Sequence, residues 1–135
     1  MSGERYPVLW IGQVAVVTLP AEIDVTNADA IREELLAVLN QGAVLLVADM
    51  SKTDFCDSSG VSAVVRAFRH AATSATALRL VVTTPAVLRV LSITGVDRLV
   101  DVYPSVAASL AGRNGQVDQA WPDGATAKAD TDGGA

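Results

Sequence analysis

The sequence predicts an α/β domain: a mixed β-sheet with about four helices packed on it, in the order β-β-α-β-α-β-α-β-α. Three observations point there. Short apolar runs alternate with stretches in which apolar residues recur every three or four positions. Half of the 135 residues are apolar but only 4% are aromatic, so Val, Leu, Ile and Ala must build the core. A branched aliphatic core suits a sheet covered by helices. Gly, Pro, Asp and Ser mark the places where one period gives way to the next.

Tyr6 to Leu19 alternates weakly around Gly12-Gln13 and reads as a hairpin. Thr26 or Asn27 is placed to cap the first helix. Its inward face is Ile31, Leu35, Val38 and Leu39, with Glu33 and Glu34 outward and Gly42 as the stop signal. Val44–Asp49 is apolar on both faces and reads as a central strand. Asp57-Ser58 opens the second helix, whose stripe is Val61, Val64, Val65 and Phe68. Leu78–Thr83 is the next strand. Pro85 opens a third helix and Gly95 closes it. A short strand near Leu99–Val102 and a helix from Pro104 to about Gly112 finish the pattern.

Residues 1–113 thus form the folded domain. Residues 114–135 differ: they are rich in Gly, Ala and Asp, hold four acids and one lysine, and have Trp121-Pro122 as their only bulky feature. Such a composition buries too little surface to order itself and reads as a disordered acidic tail.

The composition also excludes. The net charge is -5, with no basic stripe for nucleic acid. Cys56 is the only cysteine, so it forms no internal disulfide or metal cluster, and it reads as a small buried hydrophobe. His70 is the only histidine and reads as an ordinary polar residue. No cofactor is expected, since Walker and dinucleotide fingerprints are missing, and Ser58 has no Gly-x-Ser-x-Gly elbow. An enzyme is therefore not expected. The first residues lack an apolar signal core and no apolar run suits a bilayer, which gives the cytoplasm as default location and no membrane partner. Arg66, Arg69, Arg79, Arg89 and Arg98 read as a solvated face, with acidic residues of a partner as the alternative they could meet.

The most informative segment is Thr53-Asp54-Phe55-Cys56-Asp57-Ser58-Ser59-Gly60. It puts a carboxylate, two hydroxyls and a glycine where a central strand hands over to a helix. Unpaired N–H groups and a partial positive charge at a helix N-terminus favour phosphate. The plainer reading of Asp57-Ser58 is an N-cap with no further role. Its place at the carboxyl end of a strand, where α/β sites gather, favours function. A second acidic turn, Glu22-Ile23-Asp24, is expected to emerge on the same edge of the sheet.

These segments resemble a STAS domain of the anti-sigma factor antagonist type. The resemblance lies in Glu22-Ile23-Asp24, Val47-Ala48-Asp49-Met50, Asp54 to Val61, and Ser92-Ile93-Thr94-Gly95-Val96, and runs from about Val8 to Leu110. It implies a switch, in which the unmodified chain binds an anti-sigma factor that is also a serine kinase and so frees the sigma factor. Phosphorylation then separates the pair, and a serine phosphatase resets it. The resemblance maps the phosphoacceptor onto Ser58 and partner-binding positions onto Asp24, Asp57, Ser59 and Gly60. The rival reading keeps the fold without the switch, as a scaffold or an accessory subunit of a larger assembly or transporter.

Overall fold

A five-stranded mixed sheet forms the centre of the molecule, with strands in the order β1-β2-β4-β6-β7. The computed structural model describes residues 6–111. The hairpin β1 (Val8–Ile11) and β2 (Val14–Thr18) pairs antiparallel. From β2 onward, β4 (Leu45–Met50), β6 (Ala77–Val82) and β7 (Asp101–Tyr103) run parallel. Between them lie α1 (Ala28–Asn40), α2 (Ser58–Thr73), α3 (Pro85–Thr94) and α4 (Val106–Ala111). The expected mixed sheet with four helices is what the chain forms.

One face of the sheet, through Ala15, Val17, Leu46, Ala48 and Leu80, packs against the helices. Ile31, Leu35 and Val38 of α1, Val64 and Ala67 of α2, and Val87 and Leu91 of α3 complete this core. The opposite face buries Val14, Val16, Leu45, Val47 and Val81 against Val106 and Leu110 of α4. β4 is therefore buried on both sides, which is why its sequence is continuously apolar.

Several details differ from the sequence reading. The stripe of α2 is built on Val61, Ala63, Val64, Ala67 and Ala71, while Val65 and Phe68 are only half-buried. The alanines let α2 lie close to the sheet, so the bulkier side chains are displaced to its margin. The last strand begins two residues later than expected. After α3, Gly95 adopts φ 85°, and Val96–Arg98 form a turn of 3₁₀ helix. That turn buries Val96 and Val100 and delays the strand to Asp101. The final helix starts at Val106, because the Ser105 hydroxyl accepts from the Ala108 N–H at 3.0 Å and caps it there. Glu33 is exposed as expected, and Glu34 is half-buried. The acidic tail expected over 114–135 lies outside the described residues.

Two short strands were not expected. β3 (Glu22–Ile23) and β5 (Phe55–Cys56) form a separate parallel ribbon. Two residues each are too few to show a period in sequence.

Candidate functional site

The ribbon is what assembles the site. Glu22 pairs with Phe55 and Ile23 with Cys56. At its start the Asp54 N–H donates to the Ala21 carbonyl at 2.9 Å, and at its end the Asp57 N–H donates to the Ile23 carbonyl at 3.1 Å. Asp24 and Asp57 therefore leave the ribbon on adjacent strands, which run roughly 4.8 Å apart. The two acidic turns meet through their own pairing, not merely through sharing an edge of the main sheet.

Asp24 is committed to its own loop. Its carboxylate accepts from the Thr26 N–H at 2.9 Å and from the Thr26 hydroxyl at 2.5 Å. Asn27 stands at the N-cap of α1 but makes no forward cap bond. Its side chain turns back, accepting from the Asp24 N–H at 3.0 Å and donating to the Glu22 carbonyl at 2.8 Å. The residue expected as a helix cap is instead a clasp on the acidic turn.

Asp57 caps α2. One carboxylate oxygen accepts from the N–H of Ser59 at 2.9 Å, the N–H of Gly60 at 3.2 Å and the Ser59 hydroxyl at 2.5 Å. The Ser59 hydroxyl, helped by the two backbone donors, holds the Asp57 carboxyl below its ordinary value. Ser59 is thus spoken for. Ser58, one residue earlier, is exposed, and its hydroxyl has no hydrogen-bond partner among the described residues. The capping reading of this turn thus falls to Asp57 and Ser59, and Ser58 takes no part in it.

Gly60 plays a packing part. It is buried, and a Cβ there would lie 2.6 Å from Ile23 Cγ2 and 2.7 Å from Cys56 Sγ. Only glycine lets the first turn of α2 press onto the ribbon. The sequence reading grouped Gly60 with partner-binding residues. Buried as it is, Gly60 sets how closely the start of α2 lies on the ribbon. Cys56 lies under the same turn. Burial, and then the nearby Asp57 charge, push its thiol up to about 11, and it donates to the Asp57 carbonyl at 3.6 Å. It is the small buried hydrophobe expected.

The loop carrying the site is tied down by threonine hydroxyls. Thr53 is fully buried, and its hydroxyl donates to the Pro20 carbonyl at 2.7 Å. Thr84 reaches the Thr53 carbonyl at 2.8 Å, and Thr83 the Ser51 carbonyl at 3.0 Å. These bonds fix the turn before the ribbon, and so the position of Asp57. Val25 and Phe55 stand exposed beside the two acidic turns.

Elsewhere, Arg79 is not part of a solvated face. It donates to the Ser109 carbonyl at 2.5 Å and lies 5.5 Å from the Tyr103 ring centroid, pinning α4 to the sheet. Arg66, Arg69, Arg89 and Arg98 are exposed, as expected. His70 meets Asn40 Oδ1 at 3.3 Å, joining α2 to α1. Among the described residues no cluster of three metal-ligating side chains occurs, and no helix is long and apolar enough to cross a membrane.

A hydroxyl without a partner among the described residues, at the first position of a helix and next to its capping Asp57, on an α/β sheet with a leading hairpin, is a specific arrangement. The family model for the STAS domain matches residues 8–109, almost the whole described fold. The chain belongs to the STAS domain family. Among STAS relatives, it is 29% identical over 86 residues to the anti-sigma-B factor antagonist of Bacillus subtilis (strain 168), covering 64% of this chain and 78% of that protein. An anti-sigma factor antagonist from Mycobacterium paratuberculosis superposes with a TM-score of 0.72 at 26% identity, over 78% of this chain and 90% of that one. The Bacillus protein SpoIIAA shares the fold in its unphosphorylated form (TM-score 0.67, 22% identity) and in its phosphorylated form (TM-score 0.60, 21% identity). Those matches cover 78% of this chain and 94% and 96% of the respective SpoIIAA chains. These three relatives of the STAS domain are anti-sigma factor antagonists, which are regulators.

Proposed function

We propose that this STAS protein is an anti-sigma factor antagonist switched by phosphorylation of Ser58. In the unmodified state it binds an anti-sigma factor of the serine-kinase type and frees the sigma factor. The kinase then phosphorylates Ser58 and the complex separates, and a serine phosphatase restores the binding form. The protein is a cytoplasmic regulator of transcription with no catalytic step of its own.

One observation carries this reading: Ser58 presents an exposed, partner-free hydroxyl at the start of α2, while Ser59 is held by Asp57. The relation to proteins named as anti-sigma factor antagonists supplies the partner class. That SpoIIAA exists in a phosphorylated form is consistent with a phosphate on this fold.

The physics of the switch is local. A phosphate adds about -1.5 to -2 charges at neutral pH. The end of α2 favours that charge, but the Asp57 carboxylate already occupies two of its N–H groups. The dianion would therefore stand beside Asp57 and the acidic turn of Asp24. A partner surface fitted to a neutral hydroxyl would then meet repulsion and a desolvation cost. Each 1.4 kcal/mol or so weakens binding tenfold, so a few suffice to separate the pair. Asp24, Asp57 and Ser59 form the rim that the partner touches.

The test is a pull-down with the purified serine-kinase anti-sigma factor, comparing wild type, Ser58→Ala and Ser58→Asp. Ala retains the partner and Asp loses it. Equal retention by all three would remove the switch.

A further inference from the structure

Beside the switch, a groove of about 210 Å³ runs between the N-terminal halves of α1 and α2. It shares Ser59 with the cap, so it is continuous with the proposed partner surface. Its lining is mixed: Ala28 and Ala63 are buried and Val25 is 77% exposed, and Asp29 adds a carboxylate on the α1 side. Ser62 adds an exposed hydroxyl on the α2 side.

Two arginines line it and they differ. Arg32 is neutralised by its own helix, with Asp29 at 3.0 Å and Glu33 at 3.8 Å. Arg66 has no ion pair or hydrogen bond among the described residues. Nor does α2 contain any acidic residue between Ser58 and Thr73 to balance it. On a chain of net charge -5, an unneutralised cation on a groove wall marks where an acidic group is attracted. The surface is thus polarised, with Asp24 and Asp57 at the switch end and Arg66 two turns along α2.

We propose that this groove sets partner specificity by charge and shape. It seats an apolar side chain of the anti-sigma factor against Val25 and Ala63, and Arg66 pairs with a carboxylate beside it. The proposal rests on the reading of the α2 N-terminus as the partner surface, and it adds the chemistry that the partner must bring. Paired with the acidic turns at the other end, Arg66 fixes the direction in which the partner lies along α2. Such charge pairing governs selectivity and association rate more than total affinity.

The experiment measures association and affinity of the full chain for the purified serine-kinase anti-sigma factor, at low and high salt. The chains compared are wild type, Arg66→Glu, Arg66→Lys, Val25→Asp and Ser58→Asp. Arg66 and Val25 are exposed, so these changes leave the core untouched. Arg66→Glu is expected to weaken binding by roughly tenfold or more, mainly through slower association, and to flatten the salt dependence. Arg66→Lys keeps most of the binding, and Val25→Asp loses it. If Arg66→Glu binds like wild type while Ser58→Asp is lost, the groove proposal is overturned and the switch stands. If Arg66→Glu is lost while Ser58→Asp still binds, the groove is supported and the switch falls. If neither change affects binding, or wild type does not bind at all, both are overturned.

Discussion

The Ser59 hydroxyl donates to the Asp57 carboxylate at 2.5 Å, and this one bond divides the work of two adjacent serines. Ser59 completes the helix cap, and Ser58 is left free at the surface. The same bond is the largest reason that the Asp57 carboxyl sits below its ordinary value. A lowered folded-state pKa stabilises the fold fully above the unfolded pKa, near 3.9, and that part is lost as pH falls through the lowered value. Asp57→Asn keeps an oxygen to accept from the helix but carries no charge. Wild type should therefore melt higher than Asp57→Asn at neutral pH, and the gap should close in strong acid. Thermal unfolding across that range checks it, and a gap that ignores pH would contradict it.

Gly60→Ala tests the closeness of α2 to the ribbon. The added Cβ would meet Ile23 Cγ2 at 2.6 Å and Cys56 Sγ at 2.7 Å, both in the buried core. Alanine has the better helix propensity, but the clash outweighs it. We expect a loss of about 1–3 kcal/mol, read from urea unfolding. Removing both opposing atoms with Ile23→Ala and Cys56→Ala should make the added Cβ tolerable, although that background is itself less stable.

Cys56 should be chemically quiet. Its thiol is buried and pushed up to about 11, so almost none is thiolate at neutral pH. Labelling with a disulfide reagent should be slow in the folded protein and prompt in urea. Prompt labelling of the native chain would contradict the burial.

Ala75 offers a gain in stability. It takes φ 57° at the end of α2, where the Thr76 N–H donates to the Ala71 carbonyl and the Ala75 N–H to the Ala72 carbonyl. That closing motif favours glycine. The left-handed conformation costs an L-residue about 1–2 kcal/mol, and the extra freedom of glycine in the unfolded chain returns part of it. Ala75→Gly should stabilise the protein by up to about 1 kcal/mol, seen as a raised urea midpoint.

The main strands could be read from the sequence because Val14–Thr18, Leu45–Met50 and Ala77–Val82 are apolar runs bounded by turn residues. The start of α2 could be read because Asp57 and Ser58 are strong capping types after a central strand. The ribbon could not, since its pairing joins two-residue segments distant in sequence. Nor could the difference between Ser58 and Ser59. Both are hydroxyls beside an aspartate, and only the turn geometry decides which one the carboxylate takes. Arg79 looks solvated in sequence because nothing local to it reveals that the Ser109 carbonyl arrives from α4. The anchoring bond of Thr53 is hidden for the same reason, as its partner Pro20 comes from another loop.

The most direct measurement is phosphosite mapping by mass spectrometry after incubation with the serine-kinase anti-sigma factor and ATP. One phosphate on Ser58, none on Ser58→Ala, and a phosphorylated chain that no longer holds the kinase is the expected result. A phosphate on Ser59 or elsewhere, or a phosphorylated chain that stays bound, would contradict the account.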